Sequence, residues 1–310
     1  MKNILVTGGT GFIGSNICKY LIKKKYKTVI FDNNSRGNIK RLKDIEKNII
    51  FVKGDVCKKS DLDKAFRKIK INCVIHLAYI NGTKYFYEKP LDVLNVGIKG
   101  MLNVLELSKK YKIKNFILAS SSEVYQTPNK IPTSENESLK VPDIYNPRYS
   151  YGAGKILSEL MLINYGKKFF KKSLIFRPHN VYSEDMGNEH VIPQFIDKIK
   201  KSSNGKIKIK GNGKEIRSFI HIEDFMQAFD LIFQKGKNLE IYNIGTNEKI
   251  SIKKLAYLIA KIMNKKIRLF NVGSFIGNTP IRCPDINKIR KLGFKQKIKI
   301  KIGLRKIIFH

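Results

Sequence analysis

The first half of the chain alternates short apolar runs with longer stretches whose apolar positions recur at helical spacing. Runs at residues 3–7, 27–31, 49–52, 73–77 and 115–120 are rich in Ile, Val, Leu and Phe and are bounded by Gly, Asp or Ser. Continuous apolar runs of this length predict strands buried on both faces of a sheet. Between them, residues 12–24, 90–111 and 151–168 carry the helical period. Strand and helix in strict alternation predict an α/β fold, a doubly wound parallel sheet with helices on both faces. From about residue 178 the pattern changes to shorter elements and Gly/Asn-rich loops such as Lys210-Gly211-Asn212-Gly213-Lys214. A smaller, mixed α/β C-terminal substrate lobe is expected there. The predicted division is 1–177 and 178–310, with later segments such as 217–248 returning to the first domain.

Ligands of open α/β sheets bind at the carboxyl ends of the strands, so the residues there carry the functional reading. The first strand runs into Gly8-Gly9-Thr10-Gly11-Phe12-Ile13-Gly14 and then a helix. Glycines 8, 11 and 14 permit a tight turn and close approach of a pyrophosphate to backbone N–H groups, including those of Phe12 and Ile13. The second strand ends at Asp32, about 18 residues beyond Gly14, where an acid bonds the adenosine ribose and disfavours a 2′-phosphate. NAD is therefore expected, with Arg36 as the residue that keeps NADP open. Asn33 follows Asp32. The third and fourth strands deliver Gly54-Asp55-Val56 and His76-Leu77-Ala78-Tyr79. Asp55 is suited to the adenine amine, and His76 reads as a packed, hydrogen-bonded histidine.

The fifth run ends in Ser120-Ser121-Ser122-Glu123-Val124-Tyr125, and Tyr151-x-x-x-Lys155 opens the next helix. Four residues apart on a helix, the two side chains share a face. A phenol titrates ordinarily near pH 10, and a lysine charge in a desolvated site, with a cationic nicotinamide, is what would bring it toward neutrality. A serine at the preceding strand end can bond the substrate oxygen that such a tyrosine deprotonates. Because lysine is abundant, the Tyr-Lys interval alone is weak; its place after a glycine turn, Asp32 and the serines gives it meaning.

Composition narrows the class. The 42% hydrophobic content suits a globular chain, and no run long enough to span a membrane is present. The apolar start reads as a buried strand and not a leader, so a cytoplasmic protein is expected. Cys18, Cys57, Cys73 and Cys283 have no metal-ligand spacing and read as free thiols; no metal site is expected. The formal charge of +36 is spread along the whole length, without a basic tail or nucleic-acid-binding module. It predicts weak, salt-sensitive adhesion to polyanions and no specific nucleic-acid partner.

The order and spacing of these motifs resemble the extended short-chain dehydrogenase/reductases, in the NAD-dependent nucleotide-sugar epimerase/dehydratase group. Phe176-Arg177-Pro178-His179-Asn180-Val181-Tyr182 resembles its R-x-x-N-V-Y-G segment, and residues 217–224 its R-x-F-x-x-V-x-D segment. Asn243-Ile244-Gly245 and Arg282-x-x-Asp285-x-x-Lys288 resemble later ones. The resemblance implies a Rossmann-type domain holding NAD through Gly8, Gly11, Phe12, Ile13, Gly14, Asp32, Asn33, Asp55, Val56, Leu77, Ala78, Tyr151, Lys155 and Pro178. It implies Tyr151, Lys155, Ser122, Ser121 and Glu123 as catalytic residues. Tyr79, His179, Asn180, Arg217 and Arg282 are the implied contacts to a nucleotide-diphosphate sugar, the last three at the diphosphate. A homodimer through the helices at 90–111 and 151–168 is implied as well.

The chain also departs from the pattern. Ser122-Glu123 stands where 4,6-dehydratases carry adjacent Asp and Glu, and Ser-Glu-Val-Tyr resembles UDP-glucuronate decarboxylases. Gly97 replaces an asparagine, His179 an aromatic or apolar residue, and Ser183 a glycine. A 4-epimerase working through a 4-keto intermediate is the first expectation. Decarboxylation, dehydration and net C4 oxidation share its first step, and a non-catalytic NAD-binding regulator is the reading from another class.

Overall fold

The computed structural model describes residues 3–273, 277 and 279–309. Two compact units emerge, one formed by Met1–Val124, Asp143–Arg177 and Gln234–Tyr242, the other by Tyr125–Pro142, Pro178–Phe233 and Asn243–His310. The return to the first unit is thus shorter than 217–248, and a loop before the Tyr-Lys helix belongs to the second.

In the first unit, strands β1 (Asn3–Thr7), β2 (Lys27–Asp32), β3 (Ile49–Lys53), β4 (Cys73–His76) and β5 (Asn115–Ala119) lie where the apolar runs predict them, and β6 (Lys172–Pro178) adds a strand beyond those runs. All pair in parallel. The sheet has seven strands; β1 is flanked by β4 and β2, and the strand Glu240–Ile244 adds the position beyond β6. This is the Rossmann-like order, reversing at β1. Four of the five connections between these strands pass through α-helices, namely α1 (Phe12–Lys23), α2 (Lys59–Phe66), the group α3 (Thr83–Glu88), α4 (Pro90–Asn95) and α5 (Met101–Lys110), and α6 (Ser150–Phe169), while β2 leads to β3 through a 3-10 segment at Ile39–Asn48. Leu5, Val29, Phe31, Val74, Phe116 and Leu118 of the sheet pack against Leu62 and Phe66 of α2 and Met101, Val104 and Leu105 of α5. The alternate strand positions Ile4, Val6, Ile30, Ile75 and Ile117 are buried as well, and burial on both faces explains why the strands read as continuous apolar runs.

The helix expected over 90–111 is interrupted. Between α4 and α5, Val96–Gly100 form a π-helical turn, with Gly97 and Gly100 buried. Insertions of this kind widen the helix locally and shift its side chains by part of a turn.

The second unit is built from small sheets. Ile216–Ser218 lies between Lys249–Ser251, antiparallel, and Ile281–Arg282, parallel. Val181–Tyr182 pairs with Ile220–His221, and Lys206–Ile209 with Arg268–Asn271. Its core brings Ile192, Phe195 and Ile199 against Leu255, Ile259 and Leu304.

Candidate active site

The turn after β1 is shaped by what its glycines leave out. Gly8 has φ +74°, in the left-handed region, and a Cβ there would lie 2.6 Å from the Ala78 nitrogen. A Cβ on Gly14 would overlap the Gly8 carbonyl. The helix α1 therefore begins directly against the turn, with Gly11 as its N-cap, no side-chain cap and no acid in its first turn. Such an uncapped N-terminus offers backbone N–H groups to an anion. At the next strand end the Asp32 carboxylate accepts from the Thr10 N–H (3.0 Å) and the Asn34 N–H (2.8 Å), tying the glycine turn to the β2 loop. Arg36 is stacked on the Tyr85 ring, 4.2 Å from its centroid. A glycine cradle, an uncapped helix start and a strand-end aspartate fit the pyrophosphate and ribose of NAD.

The other residues expected around the cofactor divide into loop formers and packers. Asn33 accepts from Ser35 N–H, and Asp55 from Cys57 N–H at 2.9 Å each. Val56 is buried, and a Cβ on Gly100 would come within 2.8 Å of its side chain. Leu77 N–H donates to the Thr7 carbonyl, and Ala78 abuts Gly8. His76 shares a 2.7 Å hydrogen bond with Thr7 Oγ1, and burial, with the Lys155 charge, pushes it down to about 3, so it is a neutral packed ring.

The structure gathers Tyr151, Lys155, Ser121, Ser122 and Glu123 at the ends of β5 and α6. Past Ala119 the chain makes a 3-10 turn over Ser122–Val124, where Ser121 Oγ accepts the Glu123 N–H at 3.2 Å. Tyr151 is buried in the first turn of α6 and hydrogen-bonded to Ser121. Burial pushes its phenol above the ordinary value; the Ser121 bond opposes this and the Glu123 charge adds to it. That direction is opposite to the lowering expected from the lysine. Desolvation acts on both groups: the phenol is raised by its own burial, and Lys155 is likewise brought down to about 7 by burial, with Glu159 opposing the shift. Its Nζ donates to the Ala119 carbonyl at 2.6 Å and lies 5.9 Å from the Tyr151 ring centroid, but 4.1 Å from that of Tyr79.

Aromatic packing fixes the tyrosine. Phe86 of α3 stacks on Tyr151 with centroids 4.9 Å apart and planes 16° from parallel, and Tyr79 meets it edge-on at 4.9 Å. Phe86 escaped the sequence reading; nothing in Thr83–Glu88 sets it apart from an ordinary apolar position. Tyr79, expected at the substrate, has its hydroxyl buried against Gly97 and Gly154, so its polar end faces protein. The buried Arg177 of β6 holds Glu159 of α6 through Nε–Oε1 at 2.8 Å and a second bond at 2.6 Å, a fork that sets the helix on the sheet.

In the second unit, Arg217 and Arg282 are register partners on adjacent parallel strands. Asn180, at φ +42°, donates from Nδ2 to the Ser218 carbonyl at 2.8 Å, beside Arg217. The three residues expected at the diphosphate thus form one cluster. His179 is only 1% exposed; its Nε2 lies 3.2 Å from Asn243 Oδ1, which also accepts from Tyr125 at 2.8 Å. Pro178 ends β6 just before it.

Among the described residues no group of His, Cys, Asp or Glu could hold a metal, and no helix is long and apolar enough to cross a membrane. The four cysteines are free, and burial raises the thiols, Cys57 to about 11.

A glycine-lined helix start at one strand end and a Tyr-Ser-Lys cluster at another, on one parallel sheet, define a dinucleotide-dependent protein of the short-chain dehydrogenase/reductase type. The chain belongs to the NAD dependent epimerase/dehydratase family, whose model matches residues 4–245. It is 33% identical over 309 residues to a putative UDP-glucose 4-epimerase of Methanocaldococcus jannaschii, covering 98% of this chain and 97% of that one. It is 35% identical over 261 residues to a dTDP-D-glucose 4,6-dehydratase of Dictyostelium discoideum, covering 81% of this chain but 60% of that protein. Among solved structures, the UDP-glucose 4-epimerase of Thermotoga maritima with UDP-glucose superposes with TM-score 0.89 at 27% identity, covering 99% and 97% of the two chains. The protein is therefore an NAD-dependent enzyme of a family that includes epimerases and dehydratases.

Proposed function

We propose that this chain is an NAD-dependent nucleotide-sugar 4-epimerase. The observation that carries the reading is the Tyr151–Ser121 hydrogen bond at the end of β5, followed by the hydroxyl of Ser122 where elimination of water would need an acid. NAD, when bound, supplies the hydride acceptor and, with its positive ring, favours the phenolate. Tyr151 takes the proton of the sugar C4 hydroxyl, Ser121 and Ser122 hold the oxygen, and Lys155 keeps a positive charge beside both. Return of the hydride to the other face of C4 after the 4-keto sugar has turned over, with return of the proton from Tyr151 to the oxygen, gives the C4 epimer with no net redox change. Arg217 and Arg282, register partners on adjacent strands, with Asn180, suit the diphosphate of such a substrate.

The decarboxylase-like reading is favoured by Glu123, whose charge acts on Tyr151 and so lies near the reacting oxygen. Mass spectrometry of products from UDP- and dTDP-hexoses separates the two. An isomer of unchanged mass is expected; loss of carbon dioxide or water would overturn the epimerase. Tyr151→Phe is expected to lower kcat by roughly 10²–10⁴ while leaving NAD bound. Undiminished turnover in that variant would overturn the role given to Tyr151, whereas absence of turnover of any nucleotide sugar by the parent chain would leave the non-catalytic regulator standing.

A homodimer accompanies this reading. Leu102 on α5 and Leu160 on α6 are 40% and 56% exposed, although both are apolar positions of helices otherwise turned to the core. A reducing, cytoplasmic setting suits the buried free thiols of Cys18 and Cys73.

A further inference from the structure

Three residues past the end of β4, Tyr79 does something that neither a cofactor contact nor ordinary core packing requires. We propose that Tyr79 is a positioning residue: its ring face holds the Lys155 ammonium at its station, and its hydroxyl is keyed into a notch made by Gly97 and Gly154. The proposal rests on the reading of Lys155 as the charged partner of Tyr151.

The ring contacts come first. Lys155 Nζ sits 4.1 Å from the Tyr79 ring centroid, within the range where the negative ring face attracts an ammonium. The groups facing that ammonium are few. His76 of β4 is neutral, its pKa lowered first by burial and then by the Lys155 charge. Ala119 of β5 offers a carbonyl at 2.6 Å. Glu159, one turn along α6, attracts it but is committed to the Arg177 fork of β6. Tyr151 presents its ring at 5.9 Å, with Glu123 acting on the Tyr151 phenol. Among the described residues, no carboxylate forms an ion pair with Lys155. The Tyr79 ring is then the nearest source of negative potential besides one carbonyl.

The hydroxyl explains why the ring stays there. It is buried without a hydrogen-bond partner among the described residues, which is costly, and phenylalanine would give the same ring contacts without that cost. Its place is defined sterically. A Cβ on Gly97, in the π-helical turn Val96–Gly100, or on Gly154, in α6, would overlap the hydroxyl oxygen. Glycine is a poor helix former, and two helix-interior glycines facing one oxygen make a fitted slot. Ser158 closes it, its Oγ lying 2.8 Å from the Gly154 carbonyl and 3.2 Å from that of Gly97. A ring held by its tip cannot swing, so neither can the charge on its face.

The test reads the lysine directly. In the full chain labelled with 13Cε-lysine, the Lys155 signal is assigned by its loss in Lys155→Met and followed against pH. Tyr79→Leu is expected to lower its midpoint by about one pH unit, a tenfold loss in the protonation equilibrium, whereas Tyr79→Phe leaves it in place. An unmoved midpoint in Tyr79→Leu would overturn the proposal. The slot is tested by thermal unfolding. Gly154→Ala is expected to lower Tm in the parent and much less in a Tyr79→Phe background, because the nearest remaining ring carbon is 3.4 Å away. Gly97→Ala should stay harmful in both, since two ring carbons at 2.8 Å or less persist. Equal cost of Gly154→Ala in both backgrounds would sink the keyed slot even if Tyr79→Leu fails to fold. Neither measurement needs turnover, so failure to find an epimerised product would count against the proposed reaction and not against this role.

Discussion

Lys155 is where the balance between solvation and function is sharpest. Burial lowers its pKa from 10.5 to about 7, so the folded chain binds that proton less tightly than the unfolded chain does. The sign follows: the cost of burying the ammonium is fully present below about pH 7, shrinks as pH rises, and is gone above 10.5. Lys155→Met is therefore expected to stabilise the cofactor-free protein by on the order of 2 kcal/mol at pH 6, with the gain fading by pH 10. Thermal unfolding across that range checks it, and a gain independent of pH would show that the charge is not the cause. At this scale the glycine turn, Asp32 and the Tyr-Lys interval were legible because each depends on neighbours in the chain or on one helical turn. Phe86 and the Gly97–Gly154 slot were not, because they become neighbours of Tyr151 and Tyr79 only when separate elements pack.

Among the elements, α6 is set most firmly. It joins β6 through the Glu159–Arg177 fork, with Glu159 4% and Arg177 2% exposed, and meets α5 through a hydrogen bond from Tyr165 to Glu106. Glu159→Gln is expected to cost about 3–5 kcal/mol, since it strands a buried guanidinium. The double variant Glu159→Leu with Arg177→Met should cost less than either single loss, a comparison that chemical denaturation makes directly. Strand positions were readable to within a residue, since burial on both faces leaves an apolar run with polar ends. The π-helical turn at Val96–Gly100 was hidden, since its sequence keeps the helical period on either side and the widening is imposed by what packs against it.

The whole molecule adds two properties that no single element carries. Its formal charge of +36 is spread along the whole sequence, and a net charge of that sign draws anions at long range. Exposed Leu102 and Leu160 put apolar surface on α5 and α6, where the proposed dimer would form. Leu102→Glu with Leu160→Glu is expected to halve the mass measured by light scattering while far-ultraviolet dichroism stays unchanged; an unchanged mass would exclude these helices as the contact. The sequence by itself determined the alternating α/β order, the dinucleotide turn and the placing of Tyr151 and Lys155 on one helical face, because local periodicity and strand-end chemistry are written along the chain. Only the tertiary structure decided what surrounds that pair. A buried phenol and a buried ammonium answer to desolvation and to partners from β4, β5, α3 and β6, and sequence spacing carries no measure of either.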